Sequence, residues 1–332
     1  MMQISPEIQL FIREHSSDDV RVLALQAKKY PDIDMPTVIT QIAGRKVAAE
    51  KIPSWWEIEK IWYPKHLSLE QCSSEITARY KARLLQGDSL TDLTGGFGSD
   101  CSFLATGFKS ATYVERQEEL CEIAAHNFPV LNLNHINIKN EDGVTYLQAM
   151  SPVDCLFLDP ARRNEHGGKT VAISDCEPNV AELEELLLQK ANRVMIKLSP
   201  MLDLSLALKE LKQTQEVHIL SVNNECKELL ILLGQTSPAE ISIHCVNLFT
   251  KGTQKEQHFV FTREQEQCSE CTYTDSLETY LYEPNASLLK AGAFRSIAAA
   301  YPVRKLHPNS HLYTSDTFIE NFPGRIFRIV NQ

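Results

Sequence analysis

The residues of this chain best suited to chemistry lie in three short stretches. Asp92-Leu93-Thr94-Gly95-Gly96-Phe97-Gly98-Ser99-Asp100 follows a short apolar segment and precedes a helical run. A glycine turn in that place lets backbone approach a bound ligand closely, because no Cβ stands in the way. Glu115 ends the next strand-like segment, where a carboxylate accepts hydrogen bonds from both hydroxyls of a ribose. Asp159-Pro160 closes a later apolar segment. Together they point to a nucleoside-containing cofactor. The turn alone is weak evidence, since the dinucleotide fingerprint wants glycine or alanine where Cys101 stands.

Positioning these residues requires an alternating frame, and the pattern supplies one. Strands are expected at 89–93, 111–115, 135–138, 153–159, 193–198 and 217–222, with helices between them. Val180, Leu183 and Leu187 form one apolar stripe at helical spacing, and Leu204, Leu208 and Leu211 another. Such alternation predicts a parallel sheet covered by helices. The strand at 229–233 follows 217–222 too closely for a crossover helix, so it is expected to be antiparallel. The predicted fold is α/β, a Rossmann-like sheet of seven strands with the last one antiparallel.

Three domains are expected. Residues 1–86 read as a helical N-terminal domain, with helix starts at Ser5-Pro6 and Ser16-Ser17-Asp18-Asp19 and a final helix from Ser68 to Leu85. Residues 87–236 form the cofactor-binding domain. Residues 237–332 read as a small α+β appendix, with strands at 241–249, 258–262 and 324–330 and a helix at 286–300. The last strand stops just short of the final residue, so a further unit downstream is part of the expectation. Trp55, Trp56, Trp62 and Tyr63 read as packing residues rather than a base-stacking platform.

Composition narrows the function classes. The 332 residues are 43% hydrophobic and 23% charged, an ordinary soluble balance. A net charge of −10 argues against a general electrostatic grip on nucleic acid. Locally, Lys290, Arg295, Arg304, Lys305, Arg325 and Arg328 outnumber Asp316 and Glu320, with Tyr301, His307, His311 and Tyr313 interleaved. That segment suits either RNA or a solvated face. No secretory signal or membrane span is read, and nine scattered cysteines suggest reduced thiols in the cytoplasm. Cys268-Ser269-Glu270-Cys271 has metal-ligand spacing but no second pair, so no metal is expected.

DLTGGFGSD, YVER, NEDG, LFLDPARR and the closing hairpin resemble class I S-adenosylmethionine-dependent methyltransferases. QCSSEITARYKA, IKLSP and YLYEPNASLLKAGAF look like bacterial members with a ferredoxin-like and THUMP-like C-terminal module. The resemblance implies S-adenosylmethionine as cofactor. Asp92 and the backbone around Gly95, Gly96 and Gly98 would hold its methionine part, and Glu115 its ribose. Asp142, followed by Gly143, would face the adenine. Asp159 to Arg163 would sit beside the reactive methyl, with Asp159 and Arg162 as the catalytic candidates and RNA as the favoured substrate.

The acceptor is less constrained. Asp159-Pro160-Ala161-Arg162-Arg163 carries no aromatic, which disfavours stacking of an adenine or amide acceptor. Lys197-Leu198-Ser199-Pro200 offers no cysteine, which disfavours covalent attack on a pyrimidine. Arg162 and Arg163 read as a phosphate or carboxylate clamp or as solvated loop residues. Lys197 reads as a buried partner for a carboxylate. Two other classes stay open: an NAD-dependent oxidoreductase, and a non-catalytic RNA-binding protein on the same scaffold. Oligomeric state is not readable.

Overall fold

The computed structural model describes residues 4–162, 172–236 and 238–330. The chain forms two compact units that divide between Phe157 and Leu158.

The first unit opens with helices α1 (Pro6–Glu14), α2 (Val20–Leu25), α3 (Met35–Lys51), α4 (Pro53–Trp56), α5 (His66–Gln71) and α6 (Glu75–Ala82). Ser5 and Asp19 cap α1 and α2 through their side chains, as the sequence predicts. The single helix expected from Ser68 to Leu85 is instead two, α5 and α6. The chain is extended at Cys72 and Ser74, and the interruption turns Ser73 into the core, where it is 4% exposed. A short polar side chain competes with the helix backbone, so burying its hydroxyl against partners breaks the run.

From there strand and helix alternate: β1 (Ser89–Asp92), α7 (Ser99–Ala105), β2 (Ser110–Glu115), α8 (Glu118–Val130), β3 (Ile136–Asn140), α9 (Gly143–Ala149) and β4 (Val153–Leu158). β1 lies parallel to both β2 and β4, and β3 lies parallel to β2 on its far side. The helical segment is not packed separately from these strands. Ile52, Trp55, Ile61, Tyr63 and Leu69 share one buried cluster with Phe97, Phe103 and Ile123. Trp55 meets the Phe97 ring edge-on at 5.0 Å between centroids. The tryptophan expected to pack does so, and its partner lies inside the glycine turn.

The second unit begins with the short strands β5 (Ala161–Arg162) and β6 (Cys176–Glu177), paired antiparallel. It continues with α10 (Val180–Lys190), β7 (Ala191–Leu198), α11 (Leu204–Glu210), β8 (Thr214–Val222) and β9 (Glu225–Gly234). β9 runs antiparallel to both β7 and β8, as expected for the closing strand. Asn223 and Asn224 make the connection in two residues, both at positive φ (49° and 67°). That conformation matches the twist of the flanking strands, and asparagine tolerates it.

The strands β10 (Ser242–Leu248) and β11 (Glu256–Thr262), expected in the appendix, extend this sheet instead. β10 pairs parallel with β8, and β11 pairs antiparallel with β10. Ile243, Cys245 and Val246 are buried there, and that burial decides the placement. The chain ends with α12 (Arg263–Cys268), β12 (Tyr280–Pro284), α13 (Ala286–Ala291), α14 (Phe294–Ala300), β13 (Arg304–Lys305), β14 (Tyr313–Ser315) and β15 (Gly324–Arg328). The last four strands form a small antiparallel sheet in the order β13-β14-β12-β15. The single helix expected at 286–300 is broken at Gly292, whose φ of 74° ends α13. Among the described residues no helix is long and apolar enough to cross a membrane. All nine cysteines are free thiols.

Candidate cofactor site

The loops that follow β1, β2 and β3 converge within the first unit. Asp92, the last residue of β1, is fully buried, and its Oδ1 accepts the Thr94 amide at 3.0 Å. That bond starts the turn. A Cβ on Gly95 would lie 2.2 Å from the Tyr113 ring, so glycine there answers to packing against β2. Gly96 differs. Its φ is 54°, and a Cβ would meet nothing nearer than the Thr94 carbonyl at 3.8 Å. The backbone conformation demands glycine while the space beside it stays open, as a cradle for a ligand requires. Gly98, with φ of 85°, is the N-cap of α7.

Glu115 completes the turn from the next strand. Its Oε2 accepts the Gly96 amide at 2.9 Å and its Oε1 accepts the Gln117 amide at 2.8 Å. The carboxylate is therefore held in place by backbone, with lone pairs remaining on each oxygen. Tyr113 donates its hydroxyl to the Gly96 carbonyl at 2.5 Å, so β2 fixes Gly96 through both the amide and the carbonyl. Burial pushes the Tyr113 phenol well up, and the Glu115 charge adds to the shift. Its hydroxyl therefore stays protonated and able to donate.

The third loop joins through the backbone of Glu115. Asn140 donates to the carbonyls of Glu115 and Arg116 at 3.0 and 3.1 Å, and the Glu141 amide reaches Glu115 O at 3.1 Å. Asp142 is exposed, and its Oδ1 caps α9 by accepting from Val144 and Thr145 at 3.0 Å each. Gly143 sits so close to β1 that a Cβ would fall 2.2 Å from the Leu93 carbonyl. The predicted cofactor residues Asp92, Gly95, Gly96, Gly98, Glu115, Asp142 and Gly143 thus lie on three loops bonded or packed to one another. Cys101 fills the third-glycine place as a fully buried thiol, pushed well up by burial and by the Asp92 and Asp100 charges.

One buried constellation here has no counterpart in the sequence reading. Lys81 on α6 is fully enclosed, with its Nζ 2.8 Å from Asp100 Oδ1 and 2.7 Å from Ser73 Oγ. Ser73 donates to Asp100 Oδ2 at 2.7 Å. Asp100 stands in the first turn of α7, directly after the glycine turn. A buried ion pair of this kind fixes geometry more than it adds stability. The motif QCSSEITARYKA holds two of the three residues, but nothing in its spacing announces that they bury together.

In the second unit, Asp159 directly follows β4, and its Oδ2 lies 2.5 Å from Lys197 Nζ on β7. The Lys197 side chain is 9% exposed and that of Asp159 37% exposed. Lys197 therefore has the carboxylate partner its sequence context predicts, and that partner is the catalytic candidate. The side chain of Arg162 and the whole of Arg163 lie outside the described residues.

The basic C-terminal segment is largely committed to its own unit. Arg304 pairs with Glu278, and Arg325 with Glu283 at 2.6 Å. Lys305 is 4% exposed and donates to the Pro308 carbonyl at 2.8 Å. Lys290 donates to the Leu202 carbonyl at 2.7 Å. Arg295 donates to the Gln267 carbonyl at 3.3 Å, so five of the six expected cations have partners within the fold, which shrinks the face left for a polyanion.

Known proteins can be set beside this geometry. A solved structure described as "putative methyltransferase from Porphyromonas gingivalis W83" is 35% identical, and the match covers 98% of this chain and 81% of that one with a TM-score of 0.86. A "putative methyltransferase from streptococcus mutans in complex with SAH" is 13% identical over 48% of this chain and 96% of its own, with a TM-score of 0.35. A ferredoxin-like domain family matches residues 280–323. No curated protein matches the chain.

Proposed function

The chain belongs to the methyltransferase family of that Porphyromonas gingivalis protein, and from this we propose that it methylates an RNA substrate using S-adenosylmethionine held on the loops after β1, β2 and β3. The observation that carries the cofactor reading is the Gly96–Glu115 bond. It sets a carboxylate suited to a ribose against Gly96, the glycine of this turn whose Cβ side is open. When bound, the cofactor supplies a methyl group already activated on a positively charged sulfur.

This chain's own residues then have binding and orienting work. Glu115 accepts hydrogen bonds from the two ribose hydroxyls through its remaining lone pairs. The backbone of Gly95 to Gly98 receives the methionine part, and Asp142 takes the adenine side. Asp159 holds the acceptor in line, and Lys197 fixes the direction of its carboxylate. Alignment of this kind accounts for roughly 7–11 kcal/mol of a barrier in favourable cases. Arg162 is assigned to the acceptor's phosphate, a role that rests on its place in the sequence three residues after Asp159.

RNA is chosen over other acceptors because the C-terminal segment leaves Arg295, Arg328, His307 and His311 exposed. Incubation with tritiated S-adenosylmethionine and fractionated cellular RNA, protein and small molecules tests both parts. Label in the RNA fraction is the expected result. Label in protein or small molecules overturns the substrate class alone. Absence of any label, together with a melting temperature raised by NAD and not by S-adenosylmethionine, overturns the methyl-transfer reading.

A further inference from the structure

We propose that Glu216, His218 and His244 form a binding site for a divalent transition-metal ion of the zinc class, remote in sequence from the cofactor loops. All three lie in the second unit, on β8 and β10. Side chains two apart on a strand share a face, which puts Glu216 beside His218. The parallel register then sets His244 directly opposite His218. One ligand atom from each residue lies within 4.8 Å of the other two.

The chemistry of the donor set fits such an ion. Two imidazoles and one carboxylate, with a fourth position left for water, is a recurrent zinc arrangement with bonds of about 2.0–2.2 Å. In a tetrahedron those bonds place ligand atoms roughly 3.3–3.5 Å apart. Glu216 Oε2 and His218 Nε2 already stand 3.2 Å apart. The remaining closure falls to His244, the half-buried member, rather than to the 2%-exposed His218.

Outer partners orient the ligands. His244 Nδ1 faces His258 Nε2 on β11 at 3.1 Å, which leaves His244 Nε2 as the coordinating atom. Arg193 Nη2 holds Glu216 Oε1 at 2.8 Å, leaving Oε2 for the ion. Hydrogen bonds of this type on the far side of metal ligands fix tautomer and orientation. The His218 and His244 rings are stacked nearly parallel, 4.3 Å between centroids, so the His244 ring must turn out of the stack for both in-plane lone pairs to meet one ion. With ligands from β8 and β10, the ion would tie two adjacent strands together. Cys268 and Cys271, whose spacing suggests a metal pair, join no such cluster among the described residues.

The test uses the full chain, freed of metal by chelation and dialysis, and reads no enzymatic activity. It is therefore independent of the methyl-transfer reading. Zn2+ is titrated by calorimetry, and Co2+ by its visible absorption. The expected result is one ion per chain, intense low-coordinate Co2+ bands, and a melting temperature raised by Zn2+. His244→Ala should weaken binding at least tenfold and remove the Co2+ bands, while its far-ultraviolet circular dichroism matches the parent. The double variant Cys268→Ser/Cys271→Ser should bind as the parent does. Absence of saturable binding, unchanged affinity in His244→Ala, or loss of binding in the cysteine variant would each overturn the site.

Discussion

The Gly96 amide donates to Glu115 Oε2 at 2.9 Å, so the tip of β2 and the glycine turn after β1 are one hydrogen-bonded piece. A carboxylate proposed to hold a ribose would, if it merely projected from the strand, have to be ordered on each binding event. Here it is ordered beforehand by the turn itself.

Glu115→Ala removes that carboxylate and both of its backbone contacts. Hydrogen bonds to a charged group contribute about 1.5–3 kcal/mol each. S-adenosylmethionine affinity measured by calorimetry should fall about tenfold to a hundredfold or more. Tyr113→Phe, which loses only the bond to the Gly96 carbonyl, should weaken binding less and leave the fold intact. Equal losses in the two variants would contradict the division of roles.

Lys81→Ala removes the cation beside the buried Asp100 carboxylate, which keeps the Ser73 hydroxyl bond. Breaking a buried pair from one side costs about 3–5 kcal/mol. Chemical denaturation should show a loss of that order. The double variant Lys81→Met/Asp100→Leu should recover much of it, because no uncompensated charge stays inside. Its stability should return while cofactor affinity stays reduced, since α7 begins at the turn.

Lys197→Met removes the cation 2.5 Å from Asp159. The cofactor residues lie on other loops, so S-adenosylmethionine binding should be retained. The rate of methyl transfer should drop by about 10²-fold, the cost associated with misplacing a positioning group by an ångström. A fall in cofactor affinity with an unchanged maximal rate would contradict this assignment.

Glu75 ties α6 to α4, accepting the Ser54 amide at 2.8 Å and the Arg79 guanidinium at 2.7 Å. Burial pushes its carboxyl up, but the Ser54 amide and Arg79 outweigh that and hold it below its ordinary 4.5. A carboxyl lowered in the folded state binds fewer protons there than in the unfolded chain. Its stabilising contribution is complete above pH 4.5 and is lost as pH falls below that value. Stability of the parent should therefore decline with acid over that range, and Glu75→Gln should show a shallower decline with a lower plateau at neutral pH.

Much of the cofactor architecture is written in local pattern. Glycines at 95, 96 and 98 after an apolar strand, and Glu115 at the end of the next, announce the turn and the carboxylate proposed for a ribose, because both depend on residues close in sequence to a strand end. The alternation of strand and helix and a connection after residue 222 too short for a crossover helix likewise fix the sheet type and its antiparallel strand. Tertiary packing decided the rest. Ser73, Lys81 and Asp100 meet only because two helices bury against each other, and a buried lysine has no distinguishing local signal. β10 and β11 join the sheet because its open edge buries their apolar side chains, a competition between surfaces that hydrophobic period alone does not rank. The same pairing brings His244 beside His218 and Glu216, where residues more than twenty positions apart acquire a common chemistry through strand register.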